Sequence, residues 1–119
     1  MKSEFYFGTD KIADYAECES YEAAGGVVTL RVKFELDEGS NAAFRDKVED
    51  IVKNYLQPDD IQIVNIPRTV GVRIYTDAPQ KEVKVANRSY GTLACASVSI
   101  ELEDASGYGV VVAVFKGSI

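Results

Sequence analysis

The chain has 119 residues, 46% of them apolar and 27% charged, and carries a net charge of −6. That length and balance fit one globular domain over residues 1–119 and exclude a disordered chain, while no apolar run approaches the roughly 18 residues that a membrane helix needs. A net negative charge repels phosphate at long range, which argues against nucleic acid as a direct partner.

The opening, MKSEFYFGTD, has no basic leader followed by an apolar stretch and a small-residue cleavage site. A cytoplasmic chain, or a mature form whose leader has been removed, is therefore expected. Residues 3–8 read as a short aromatic strand, with Phe5 and Phe7 on one face and Glu4 and Tyr6 on the other. Residues 9–24, TDKIADYAECESYEAA, read as a short helix capped by Thr9 or Asp10, or else as an ordered loop. Ile12, Tyr15, Ala16 and Cys18 make a thin apolar stripe, and Asp10, Asp14, Glu17 and Tyr21 recur at helical steps.

Gly25-Gly26 ends that segment. In VVTLRVKFEL, Val28, Leu30, Val32, Phe34 and Leu36 alternate with Val27, Thr29, Arg31, Lys33 and Glu35, the pattern of a strand with one face on a core and one in water. Asp37-Glu38-Gly39 turns into the clearest element of the chain, a helix from Ser40 to Leu56. Phe44, Val48, Ile51, Val52, Tyr55 and Leu56 recur at steps of three and four and form one apolar stripe. Ser40 or Asn41 caps its start; Pro58 helps to close its end, because the residue before a proline leaves the helical region.

Residues 61–66 read as a strand. The Pro67-Arg68-Thr69 link is too short for a crossover, so residues 70–76 turn back as a hairpin partner, with Arg73 and Tyr75 outside. Residues 82–88, EVKVANR, alternate Val83 and Val85 with Lys84, Ala86 and Arg88, and are expected at a sheet edge. Residues 92–103 and 108–116 form a hairpin around Asp104-Ala105-Ser106-Gly107. In its first strand Ala94, Ala96, Val98, Ile100 and Leu102 are expected inside, with Cys95, Ser97, Ser99, Glu101 and Glu103 outside. Its second strand is apolar on both faces and should be central. Runs of strands unbroken by helices imply an α+β fold, a mainly antiparallel sheet of about six to seven strands curved over one long helix, with a second short helix at the N-terminus.

Histidine is absent, which removes the commonest general base and metal ligand. No catalytic function, cofactor or metal is expected, although carboxylates alone leave an oxygen-ligated Mg²⁺ or Ca²⁺ site open. Asp59-Asp60, Glu101 with Glu103, and Ser89-Tyr90-Gly91 show no partner that would shift a pKa. Cys18 and Cys95 are expected as small buried hydrophobes rather than as a disulfide. The glycines at 25–26, 107 and 109 fit turns and bulges, not a phosphate loop.

The charge is uneven. Residues 1–66 carry fourteen Asp and Glu against seven Lys and Arg, whereas residues 67–92 carry five basic against two acidic. An acidic face of Asp10, Asp14, Glu17, Glu19 and Glu22, joined by Glu35, Asp37 and Glu38, is expected to bind a protein with a basic surface; the plain alternative is solvated charge that keeps the chain soluble. This is the profile of small acidic inhibitors, immunity proteins and phage anti-defence proteins, by analogy of composition. The second reading is a small anionic or nucleotide ligand held by Arg68, Arg73 and Arg88 beside Tyr75, since a guanidinium fork matches such anions. There the plain alternative is edge-protecting lysines, and basic residues that pair with the acidic half. The third is a self-assembling subunit, a homo-oligomer joined through its apolar outer strands.

Overall fold

The computed structural model describes residues 3–58, 60–61 and 78–118. The elements run β1 (Phe5–Phe7), β2 (Asp10–Ala13), β3 (Ala16–Ala24), β4 (Val27–Asp37), α1 (Asn41–Ile51), β5 (Asp60–Ile61), β6 (Gln80–Val85), β7 (Arg88–Glu103) and β8 (Tyr108–Ser118). A π-helical turn, Val52–Leu56, continues α1. The sheet order is β2-β1-β6-β7-β8-β4-β3, antiparallel throughout, with the two residues of β5 laid parallel on β7. The fold is thus α+β with a mainly antiparallel sheet and one long helix. Most of the strand expected at 61–66, and the whole of its partner at 70–76, lie outside the described residues.

The helix forms where its stripe requires. Ser40 caps it by accepting from the Ala43 N–H at 3.2 Å, and Phe44, Val48, Ile51, Val52 and Leu56 are buried. It stops at Gln57, whose φ of 42° is left-handed and whose N–H bonds Val52 O at 2.8 Å; Pro58 behind it keeps that residue out of the helical region. Phe44 lies so close to β8 that a Cβ added at Gly109 would stand 2.1 Å from its ring.

The sheet is strongly curled. In a flat sheet β1 and β8, three strands apart, would be separated by about 14 Å at about 4.8 Å per strand. Instead the Phe5 ring centroid lies 5.7 Å from Phe115 and 5.6 Å from Phe34, and Phe7 lies 5.4 Å from Phe115. These rings and the apolar face of the helix share one buried core. Curling brings the two ends of the sheet together at the bend between β2 and β3. There Ser3 N–H donates to Asp14 O at 3.1 Å, Ala16 N–H donates to Ser3 O at 2.9 Å, and Glu35 N–H donates to Tyr15 O at 3.0 Å. The seam is closed at that point; beyond it, among the described residues, no strand pairs with the outer edge of the rest of β3.

Three expectations are corrected. Residues 9–24 are not a helix but the strands β2 and β3. The stripe was too thin to fix a helix that short in isolation, whereas the Gly25-Gly26 turn, with φ of 60° and 80°, sets β3 in a ladder on β4. Residues 82–88 are not an edge strand. β6 lies between β1 and β7, and Ala86-Asn87, with φ of 52° and 67°, turns the chain so that Arg88 already belongs to β7.

The third correction concerns which face of β7 is inside. The ladder to β8 skips Ala96 and Glu101, two β-bulges that each shift the alternation by one residue. Leu93 and Cys95 therefore point inward with Val98 and Ile100, while Leu102 turns out and is 55% exposed. Glu103 turns under the helix, its side chain 7% exposed, and meets Arg45 at 3.3 Å. β8 is central, flanked by β7 and β4, as its apolar faces require.

Two modest predictions arise from the turns. Ala86 occupies a left-handed position that asparagine tolerates better, so Ala86→Asn is expected to raise stability by about 0.5–1 kcal/mol, read as a higher urea midpoint. In the β7–β8 loop, Asp104 Oδ1 accepts from the Ser106 hydroxyl at 2.5 Å, the Ser106 N–H at 2.9 Å and the Tyr108 N–H at 3.3 Å. These bonds, the Ser106 hydroxyl first, hold the Asp104 carboxyl below its ordinary range. A lowered native pKa stabilises the fold above the ordinary aspartate value, and that contribution is lost as pH falls through the lowered one. Asp104→Ala is expected to melt lower than the parent at neutral pH, and melts taken at successively lower pH should converge.

Candidate functional site

On β3 the residues that face the core are Ala16, Cys18 and Tyr21, which leaves the carboxylates Glu17 and Glu22 on the opposite, outer face beside Lys33 and Thr29 of β4. Glu19 is the extra residue of a third bulge, between Cys18 and Ser20. It is aimed at Arg31, whose Nε lies 2.9 Å from Glu19 Oε1 and whose Nη2 lies 2.5 Å from Glu101 Oε1. Both carboxylates on Arg31 thus stand on bulge residues, of β3 and of β7.

The structure separates the acidic residues singled out by sequence. Asp10 sits on β2, 3.9 Å from Lys81, and Asp14 pairs with Lys11 at 3.0 Å. With Glu19 on Arg31, three of the five already have a cation of this chain beside them. Glu17 and Glu22 are exposed and make no ion pair among the described residues. The helical face expected to join Asp10, Asp14, Glu17 and Tyr21 does not exist, because β2, a bend and both faces of β3 divide them.

What the fold assembles instead is an acidic ledge around Tyr15, a residue the sequence reading counted among the apolar stripe. Tyr15 is 51% exposed at the closed seam. Two open clefts flank it, of about 300 and 350 Å³, and both are lined by Tyr15 and Glu35. Glu17 and Lys33 line the first; Asp14, Asp37 and Glu38, with Lys11 and Lys47, line the second. The Tyr108 hydroxyl donates to Glu35, and that bond, with burial and the Glu35 charge behind it, raises the phenol pKa above its ordinary range. Glu35, Asp37 and Glu38, named from sequence as neighbours of the acidic face, belong to this ledge.

The other candidate group is mostly beyond view: Arg68, Arg73 and Tyr75 lie outside the described residues. Arg88 is exposed, with its guanidinium 5.1 Å from the Tyr90 ring centre. Tyr90 in turn lies 5.5 Å from Tyr21. Its hydroxyl is held above the ordinary range by burial first, and then by a hydrogen bond with Cys18. Neither Cys18 nor Cys95 is in a disulfide; Cys95 is buried and Cys18 partly so. Glu101 and Glu103, expected on one solvent face, are divided by the bulge at Glu101, one toward Arg31 and the other toward Arg45. Among the described residues no group of three or more Cys, Asp or Glu is arranged to hold a metal ion, and no helix is long and apolar enough to cross a membrane. No protein-family model matches the chain, and neither a curated protein nor a solved structure matches it.

Proposed function

We propose that the protein is a non-catalytic binding module, working as an inhibitor or immunity protein does, whose acidic ledge docks on a basic protein surface. The observation that supports this reading is the exposed Tyr15 between two clefts lined by Asp14, Glu17, Glu35, Asp37 and Glu38. An aromatic ring with an apolar body and a polar tip serves as an anchor. The surrounding carboxylates steer a cationic partner to it and set its register. Asp10, Asp14 and Glu19 take a lesser part, since each already faces a lysine or arginine of this chain.

The test separates position from bulk charge. Reversing Glu17 and Glu38 to lysine is expected to weaken binding of a short lysine-rich peptide by about tenfold at low salt. Both side chains are exposed, so the melting temperature should stay close to that of the parent. The same change of net charge on α1, at Asp46 and Asp50, should leave binding near the parent value. Equal weakening by both variants would reduce the ledge to general negative charge and overturn the proposal.

A further inference from the structure

We infer that the open part of the seam takes a strand: an extended, lysine-bearing segment of a protein partner adds to the free edge of β3. This rests on the docking reading above and supplies its mode. Among the described residues β3 ends the sheet order, and beyond its contact with Ser3 it is paired by β4 alone. Near Ala16 its outer side is occupied by Ser3, but from Glu19 to Ala24 every residue is exposed. The Gly25-Gly26 turn closes on the Ala24–Val27 pair, which in a two-residue turn is a hydrogen-bonded pair. Alternation along an antiparallel ladder then turns the N–H and C=O of Tyr21 and Ala23 away from β4. These are main-chain donors and acceptors in the arrangement that strand addition uses.

Side chains beside the edge define the occupant. Glu17 and Glu22 lie on the outer face, and Tyr21, 46% exposed against Tyr90, lies on the other. An added strand with lysines on one side and small apolar residues on the other meets carboxylates and rings in turn. A second copy of this chain is disfavoured in the register that pairs Tyr21 with Ala23. Twofold pairing through Tyr21 and Ala23 sets Glu22 against Glu22, and like charges directly opposite destabilise a ladder.

The probe is a synthetic peptide of alternating lysine and valine, compared with the same peptide N-methylated at alternate residues, which keeps the charge but cannot form the ladder. The unmethylated peptide is expected to slow hydrogen exchange of the Tyr21 and Ala23 amides by about tenfold or more, and the methylated one to leave them unchanged. Ala23→Pro removes one outward N–H at an edge position where proline is tolerated. It should abolish the protection of the Tyr21 amide with little change in melting temperature. If both peptides bind equally and neither amide is protected, strand addition is wrong while charge-led docking stands. If neither peptide binds, the docking reading fails and strand addition fails with it.

Discussion

Gly107→Ala is expected to be the most damaging single-methyl substitution of those considered, costing about 3 kcal/mol or more and lowering the urea midpoint accordingly. Two independent effects add at this residue. Its φ of +93° is one that a side chain rarely adopts, and an ideal Cβ there would lie 2.3 Å from Ser40 N and 2.5 Å from Ser40 C and O. Those atoms are main chain at the helix cap, where Ser40 holds Ala43 and Glu38 N–H reaches Gly107 O at 3.4 Å. The first turn of α1 would have to move as a body. No truncation of a nearby side chain should restore stability, and a variant that loses less than about 1 kcal/mol would show that the loop and cap are not in contact.

Gly109→Ala is expected to cost about 2–3 kcal/mol by overpacking, but for a reversible reason. Its Cβ would meet the Phe44 ring at 2.1, 2.4 and 2.9 Å, all side-chain atoms. Phe44 is fully buried, so shortening it alone to leucine leaves a void and also destabilises. Together the two changes refill one space. The double variant Gly109→Ala/Phe44→Leu is therefore expected to be more stable than the sum of the two losses predicts, by about 1 kcal/mol in a double-mutant cycle. Strict additivity would mean that helix and strand do not meet at this residue.

The parts of this fold that are legible in sequence are those whose period is long and unbroken. Phe44, Val48, Ile51, Val52 and Leu56 give the helix, and Val28, Leu30, Val32, Phe34 and Leu36 give β4, because each series runs without interruption to the core. Where a single residue is inserted, the period misleads. Glu19, Ala96 and Glu101 each move the strand by one position, so Cys95 appears polar-facing and Leu102 core-facing when the reverse holds. β3 has few apolar residues because it lies at the end of the sheet, and thin alternation there resembles a weak helical stripe. The ledge was partly legible, in that its carboxylates were named. Its centre was not, since Tyr15 gains its neighbours Glu35 and Asp37 only when the curled sheet closes. Arg31, which joins residues 12 and 70 positions away, leaves no trace in local spacing.

The closed seam at Ser3, Tyr15 and Glu35 also has a consequence for synthesis. Besides β2, the strand that pairs with β1 is β6, which begins at Gln80, and the rings that pack on Phe5 include Phe115. As the chain leaves the ribosome, its first aromatic strand must stay without that neighbour until β6 has been made. The order of pairing makes completion of the sheet wait for β8, among contacts of long sequence separation that form slowly.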